Sequence, residues 1–521
     1  MIKRALPLLA LASFLASTNM TAHAQSKGDQ ALLDVLVRKG VLTEKEAEGI
    51  TADLAKEAAS APMSKIQVGD WVKELKLSGD LRLRNQWDQR DPMLLTNRRL
   101  GPQDPHIQRD RWRFRLRLNA DFKLAENFFG GVQLATGDNR AADTRNATYT
   151  GGYDLYNIFI SRAFLGWNPE PGVTFIAGKQ ANPFYTTDLI YDPDLDPNGI
   201  VERIDFHKLF NLTFGEPVVA EGKEGKAPPP APAPAAGNSL ELSLIAGQFI
   251  AFNNNANSGN TQLKWDAYQF QQQLLAKLHI GNKLTLTWAP GFIAYNDASV
   301  GATAVDSRGN LIPPTNTSFN GGQPLNNSQP FPVTQRDLFI LLTPGDITYK
   351  IYGRPLTLYW DFAYNLEGND RFNRDYGPLF SHYFFVGNSA TPSFGGRVKP
   401  SFSDNLAWLV GLKFGENKKA GDFSISADYR QVGISSIDPN INSSNFALSN
   451  LNVEGWEFNV AYNLTDFLTA SVTFYYSDAL TKNLYGGFAT GNVPGVSATQ
   501  QWPIARDRHD KVIQANILMK F

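Results

Sequence analysis

Hydrophobic and polar residues alternate with a period of two from about Leu75 to the end of the chain. In the segment 468–476, the apolar positions Leu468, Ala470, Val472, Phe474 and Tyr476 alternate with Thr469, Ser471, Thr473 and Tyr475. Successive side chains of a strand point to opposite faces, so this pattern predicts strands with one apolar and one polar face. Sixteen segments are predicted to be strands: 76–88, 109–124, 128–138, 155–168, 172–180, 203–214, 238–250, 263–280, 283–296, 336–351, 356–367, 404–415, 422–434, 452–464, 467–477 and 509–521.

The second of these segments shows the strongest contrast between its two faces. Arginine occupies positions 109, 111, 113, 115 and 117, and the positions between them include Trp112, Phe114 and Leu116. A helix would distribute these charges around its circumference, and five stacked arginines would be an unusual outer surface for a soluble sheet. A membrane barrel accounts for both faces, with lipid on the outside and a water-filled lumen on the inside.

The connections between the predicted strands alternate in length. Short turns lie at 125–127, 169–171, 281–282, 353–355, 416–421 and 465–466, and long loops at 89–108, 139–154, 181–202, 251–262, 297–335, 368–403, 435–451 and 478–508. Such sorting is expected when one rim of a barrel faces the periplasm and the other faces the outside. We therefore predict an all-β transmembrane barrel of about 16 antiparallel strands over residues 71–521.

One connection departs from this alternation. Residues 215–237 contain the run Ala227-Pro228-Pro229-Pro230-Ala231-Pro232-Ala233-Pro234, which is typical of a stiff segment. Alternation places this insert on the periplasmic side of the barrel. A miscounted pair of strands nearby is the competing interpretation.

The N-terminus has the features of a secretory signal peptide over residues 1–24. Lys3 and Arg4 are followed by a short apolar stretch, and Ala22-His23-Ala24 fits the small-x-small cleavage rule. The alternative, a membrane anchor, is disfavoured because the apolar stretch is too short to span a bilayer.

Residues 25–70 are predicted to form a periplasmic helical hairpin and linker. Leu32, Leu33, Val35 and Leu36 lie in a first helix that ends near Gly40, and Thr43 to Glu46 has capping-box spacing. The hairpin is a candidate for oligomerisation or cell-wall contact, and a passive spacer is the alternative.

Composition narrows the function classes. The chain has no cysteine and a formal net charge of −1, so we expect neither disulfides nor nucleic-acid binding. Its six histidines are scattered without a His-x-x-x-His pair, and there is no Gly-x-Ser-x-Gly elbow. We therefore expect no enzyme activity, no cofactor and no metal site.

Several motifs resemble the bacterial "putative porin" family, which is related to general outer-membrane porins. The motifs are Lys39-Gly40-Val41-Leu42-Thr43, Leu77-Ser78-Gly79-Asp80-Leu81-Arg82-Leu83-Arg84, the arginine strand, Leu134-Ala135-Thr136-Gly137, Ala177-Gly178-Lys179 with Asn182-Pro183-Phe184, Asp188-Leu189, Asp192, Asp194-Leu195 and Gly455. The resemblance covers nearly the whole mature chain and implies a homotrimeric outer-membrane barrel that passes small hydrophilic solutes. The aromatic ending Phe521 resembles the signal that the barrel-assembly machinery reads in outer-membrane proteins.

Two sets of charged residues are candidates for the lumen. The pore-lining candidates are Arg82, Arg84, Arg109, Arg111, Arg113, Arg115 and Arg117. They would form a positive wall, unless acids across the barrel neutralise them. The constriction-loop acids are Asp188, Asp192, Asp194 and Asp196, in the third long loop. They would face the arginines across a narrowed pore; a calcium loop and a plain solvated loop are the alternatives.

We interpret Asp361, Asp428 and Arg430 as an ordinary hydrated wall.

These observations predict a porin, that is, a channel for passive diffusion of small hydrophilic solutes and ions through outer-membrane lipid. A substrate-specific channel for anionic nutrients is one alternative. A surface adhesin or structural barrel without a channel is another.

Overall fold

The structure, a computed structural model, describes residues 43, 69, 71–90, 107–137, 144–210, 238–252, 267–296, 304–305, 311–312, 337–373, 399–481 and 509–521. The predicted signal peptide and the proline-rich insert lie outside the described residues, and so does the predicted hairpin apart from Thr43 and Gly69.

Sixteen long strands follow one another along the chain. They are β1 (Val72–Arg90), β2 (Ile107–Leu124), β3 (Phe128–Thr136), β4 (Ile158–Trp167), β5 (Val173–Lys179), β6 (Asn198–Asp205), β7 (Ser239–Phe252), β8 (Ala267–Ile280), β9 (Leu284–Trp288 with Gly291–Tyr295), β10 (Phe339–Leu342 with Gly345–Ile351), β11 (Arg354–Asn365), β12 (Leu406–Gly415), β13 (Phe423–Val432), β14 (Val453–Asn463), β15 (Leu468–Ala479) and β16 (Asp510–Lys520).

These strands form a closed antiparallel barrel. Each strand pairs with its neighbours in sequence, and β1 pairs with β16 in a register that runs from Asp80 opposite Lys520 to Arg90 opposite Asp510. The last strand therefore closes the sheet on the first and leaves no open edge. The prediction of a sixteen-stranded antiparallel barrel is confirmed.

The remaining regular elements are short. Two one-turn helices lie at α1 (Phe206–Leu209) and α2 (Gly368–Arg371), and 3-10 turns lie at Ala125–Asn127, Phe402–Asp404 and Ala447–Ser449. The two-residue strand Ala147–Thr148 pairs with β2, and Ala304–Val305 pairs with Leu311–Ile312. Among the described residues, no helix has the length and apolar character needed to cross a membrane.

The chain divides into two compact units. The smaller unit contains residues 1–75 and 122–126, and in it the Ala125 N–H donates to the Trp71 carbonyl at 2.8 Å. An ion pair of 2.6 Å joins Lys123 to Glu74 in the same unit. The larger unit contains residues 76–121 and 127–521 and carries most of the barrel wall.

The sixth strand differs most from its predicted position. It lies at Asn198–Asp205 rather than at 203–214. The prediction missed its start because Pro197, Asn198 and Gly199 have the composition of a turn. Gly199 has a packing role instead: a Cβ there would clash with the Gln248 carbonyl of β7. Local composition therefore predicted a loop where close approach of two strands requires glycine.

Prolines interrupt two neighbouring strands. Pro290 divides β9 and Pro344 divides β10, because proline has no N–H to donate to the ladder. Both proline carbonyls still accept, from Leu274 and Ala289 respectively, each at 2.9 Å. The two strands therefore continue across the interruptions.

Apolar side chains cover the outer face of the barrel. Trp112 and Leu118 of β2 and Leu77 and Leu83 of β1 are exposed on the face opposite the arginines. The C-terminal residue joins this wall, since the Gly79 N–H donates to the Phe521 carbonyl at 2.7 Å. A Cβ on Gly79 would lie 2.6 Å from the Phe521 ring, so only glycine leaves room for the terminal aromatic side chain.

The interior contains a large apolar cluster at the end of the barrel that carries the long loops. Buried side chains of β9 to β16 contribute to it, including Ile293, Ile340, Leu342, Ala363, Leu409, Val432, Val453, Tyr475 and Val512. Side chains from two loops complete it: Leu189, Ile190 and Tyr191 from one, and Ile434, Ile437, Ile441 and Phe446 from the other. Both loops therefore fold into the barrel.

Candidate functional site

The loop between β5 and β6 (residues 180–197, the crossing loop) spans the barrel interior. The Tyr185 N–H donates to the Gln273 side chain of β8 at 2.8 Å, and the Thr187 hydroxyl donates to Asp361 of β11 at 2.9 Å. β13 lies eight strands from β5 in the ring of sixteen, so a contact to β13 reaches the far wall. Asp188 makes such a contact, an ion pair of 3.0 Å with Arg430.

A second loop, between β13 and β14 (residues 433–452, the inner loop), packs on the crossing loop. The Asp192 N–H donates to the Ile441 carbonyl at 2.6 Å, and the Ser444 N–H donates to the Asp192 carboxylate at 2.8 Å. Almost all of the inner loop is buried. The prediction treated it as an ordinary long loop, although isoleucines at 434, 437 and 441 within a Ser- and Asn-rich segment were a signal that it is anchored.

The four predicted constriction-loop acids all bind donors. Asp188 pairs with Arg430, and Asp194 lies 3.4 Å from Arg115. Asp196 pairs with Arg145 at 3.0 Å and with Arg162 at 2.8 Å, and the Ser161 hydroxyl donates to it at 2.8 Å. Asp192 accepts from backbone N–H groups, including that of Asp194 at 2.8 Å. These four carboxylates bind arginines and backbone N–H groups and form an ion-pair and capping network. They are therefore not available as calcium ligands, which disfavours the calcium alternative.

Asp194 is the acid of this loop that contacts the predicted arginine column. Burial raises the pKa of its carboxyl, but Arg115, Arg82 and Arg145 outweigh that effect and hold the pKa below its ordinary value. The carboxylate is therefore ionised under ordinary conditions, and it fixes the returning arm of the crossing loop to β2.

Four of the seven predicted pore-lining arginines share two aspartates of β1. Arg109 and Arg111 bind Asp88 at 3.3 and 2.8 Å. Arg115 and Arg117 bind Asp80 at 2.9 and 2.7 Å. This part of the column is only half neutralised, because each carboxylate is shared by two guanidinium groups.

The other three arginines bind neutral groups. Arg82 donates to Asn146 at 2.8 Å, Arg84 to Asn516 at 2.6 Å and Arg113 to Gln86 at 3.3 Å. Among the described residues, no carboxylate lies within 4.0 Å of these three guanidinium groups. The seven predicted arginines carry seven positive charges against the three carboxylates that bind them, those of Asp80, Asp88 and Asp194, which leaves a formal excess of four.

The column is covered at its centre and open towards its ends. The side chain of Arg115 is 8% exposed, whereas those of Arg117 and Arg109 are 25% and 45% exposed. Asp194 and the side chains of Asn146 and Asn445 cover the central guanidinium groups. The most covered part of the column therefore lies where the crossing loop contacts it.

A second charged cluster surrounds Arg430 of β13. This guanidinium is 1% exposed and binds three carboxylates, those of Asp188 at 3.0 Å, Asp428 at 2.8 Å and Glu457 at 2.8 Å. It also lies 4.7 Å from the centre of the Phe446 ring, which belongs to the inner loop. The interpretation of Arg430 as part of a hydrated wall is wrong, because the guanidinium group is buried and paired. The sequence does not indicate these partners, since Asp188 and Phe446 come from two loops whose positions depend on the fold.

Comparison with known proteins finds one family model, which matches just under half of the chain. A family model described as "Putative porin" matches residues 55–313. No curated protein matches the chain.

Solved structures with similar folds share little sequence with this chain. OprB of Pseudomonas putida is 10% identical, with coverage of 86% of this chain and 94% of that chain and a TM-score of 0.42. OmpF of Salmonella typhi, in a complex with daunomycin, is 10% identical, with coverage of 86% and 97% and a TM-score of 0.38. A triple mutant of the Rhodopseudomonas blastica porin is 10% identical, with coverage of 86% and 100% and a TM-score of 0.34.

Proposed function

We propose that this chain, which matches the "putative porin" family model over residues 55–313, is a porin that forms a water-filled channel for passive diffusion of small hydrophilic solutes and ions. The family and the barrel point to a channel rather than to an enzyme, and they support a location in the outer membrane.

The division of the barrel interior carries this proposal. Apolar side chains of β9 to β16 and of the two inward loops pack together at the end with the long loops. The inner face of β1 to β4 carries mainly polar and charged side chains, whereas in β9 to β16 buried polar groups such as Asp361 and Arg430 lie among apolar ones. A solute that needs water would follow the charged side, because apolar walls offer it no hydrogen bonds. The seven arginines of β1 and β2 would then line its path.

The uncompensated arginines favour the anion-selective alternative. Arg82, Arg84 and Arg113 bind amide and hydroxyl groups, so their charges act on any ion that passes. Positive charge at a narrow, poorly hydrated site raises the local concentration of anions. In this proposal the acids of the crossing loop position the loop and are not a free acidic wall.

The proposal extends to the surroundings of the barrel. The outer apolar face would contact outer-membrane lipid, three copies would associate as a homotrimer, and the barrel-assembly machinery would read the Phe521 ending. Residues 25–70 would form the helical hairpin in the periplasm, and the insert 215–237 would lie on the same side of the membrane.

Planar-bilayer recording of the purified protein tests the channel. We expect discrete conductance steps, with a reversal potential in a KCl gradient that shows chloride preference. Arg113→Gln should shift the reversal potential towards the equilibrium potential of potassium, and this shift should be larger than the one that Lys413→Gln causes. Each change removes one charge, but Lys413 lies on β12, away from the arginines. Absence of any conductance would favour the adhesin or structural alternative.

A further inference from the structure

A cavity of about 670 Å³ lies between the crossing loop and the inner face of β1 to β7. Its charged lining consists of Asp80, Arg117, Asp121, Arg162 and Arg203. This volume is within the usual range for sites that hold a small molecule. The cavity adjoins the arginine column but includes residues of β4 and β6, which the column does not contain.

Carboxylates anchor three arginines of this cavity, of which Arg203 also donates to the Ser243 hydroxyl at 3.3 Å. The Nε groups of Arg117, Arg162 and Arg203 donate to Asp80, Asp196 and Asp205 at 2.7, 2.8 and 2.7 Å. Within the described part of the chain, the terminal nitrogens of Arg117 and Arg162 have no hydrogen-bond partner. The carboxylates therefore hold the guanidinium groups in position and leave N–H donors for a ligand.

A buried amide adds a second, independent indication. Gln180, the first residue of the crossing loop, lines the cavity and is 3% exposed. Neither its Nε2 nor its Oε1 has a partner among the described residues. A buried amide without partners costs free energy that a ligand with both a donor and an acceptor would recover.

We propose that this cavity is a binding site for small hydroxylated organic acids on their way through the channel, an inference that rests on the proposed function. The terminal N–H groups of Arg117 and Arg162 would hold the carboxylate, since guanidinium and carboxylate form paired, charge-assisted hydrogen bonds. The amide of Gln180 would bind hydroxyl groups through its Nε2 and Oε1. Asp121, on the same wall, offers a further acceptor for a hydroxyl donor.

Gluconate, a hydroxylated monocarboxylate, is a suitable probe, with glucose as its uncharged counterpart. In planar bilayers with KCl on both sides, gluconate should reduce the single-channel current at concentrations where glucose does not. Arg162→Gln should raise the half-blocking concentration about tenfold, because one charge-assisted contact is lost. Gln180→Leu, which leaves every arginine in place, should raise it about threefold. Lys413→Gln is the matched control and should leave block by gluconate unchanged.

Titration calorimetry of the detergent-solubilised protein with gluconate separates this proposal from the channel itself. If the protein conducts but gluconate neither blocks nor binds, or if glucose is equally effective, the binding site is refuted while the channel stands. If Gln180→Leu and Arg162→Gln both match the wild type, the site lies elsewhere and the proposal is overturned. If gluconate binds with the predicted dependence on Arg162 but no current flows, the site stands and the channel fails.

Discussion

The face of β1 to β4 and the face of β9 to β16 line the same barrel by different chemistry. The first, the arginine sector, is built from guanidinium groups with shared or neutral partners, such as Arg113 and Arg115. The second, the core sector, is built at the long-loop end from buried aliphatic side chains such as Ile340 and Leu409. A barrel wall therefore does not impose one kind of interior, and the two loops that fold inward pack on its apolar part.

The crossing loop shows how the two sectors share one segment. Its middle, at Leu189 to Tyr191, is buried in the core sector, whereas Asp194 and Asp196 bind arginines of the other side. Apolar burial provides most of the stabilisation for such a loop, and ion pairs mainly set its position. The comparison predicts that changes in the core sector will cost stability, and that changes in the arginine sector will cost selectivity.

Arg430→Met should produce the largest effect. It leaves Asp188, Asp428 and Glu457 close together and largely removed from water without their shared cation, which we expect to cost about 3–5 kcal/mol. Urea unfolding of the detergent-solubilised protein, followed by tryptophan fluorescence, measures the loss. Arg117→Met is the matched control, because Asp80 would keep Arg115 and the arginine is partly exposed. Equal losses of unfolding free energy in Arg430→Met and Arg117→Met would show that the core sector and the arginine sector do not differ in their contribution to stability.

Ile190→Ala should have the second largest effect. The side chain is 1% exposed within the apolar cluster, and its truncation should cost about 2–4 kcal/mol. Because the crossing loop would be held less tightly, we also expect a higher and noisier single-channel conductance. Ile347→Ala removes the same atoms from the outer face of β10, where Ile347 is exposed, and should leave the conductance unchanged. A higher and noisier conductance in both variants would contradict the assignment of Ile190 as the residue that anchors the crossing loop.

The barrel was predictable from the sequence because its strands alternate, and the arginines were predictable because Arg109 to Arg117 alternate most clearly. The core sector was not predicted, although β10 begins with Phe339-Ile340-Leu341-Leu342, an apolar run that is typical of burial on both faces. The partners of Arg430 and Asp196 were beyond prediction, since they come from loops and strands distant in sequence. Alternation in the sequence predicts which side chains of a strand point inwards, but only the folded structure shows which residues those side chains contact.

The smallest effect we predict concerns Asp194 and pH. Its pKa lies below the ordinary value of about 4 for an aspartate, because its arginine neighbours outweigh its burial. A carboxyl group of this kind stabilises the folded protein above its unfolded-state pKa, and that contribution is lost as the pH falls through the lower, folded-state pKa. The pairing of Asp194 with Arg115 should therefore persist from pH 7 to about pH 4 and weaken only in stronger acid. Thermal unfolding in detergent should show a larger decrease in midpoint between pH 6 and pH 3 for the wild type than for Asp194→Asn, which has no carboxylate to protonate. Parallel decreases would mean that Asp194 does not hold the crossing loop, and that the core sector alone positions it.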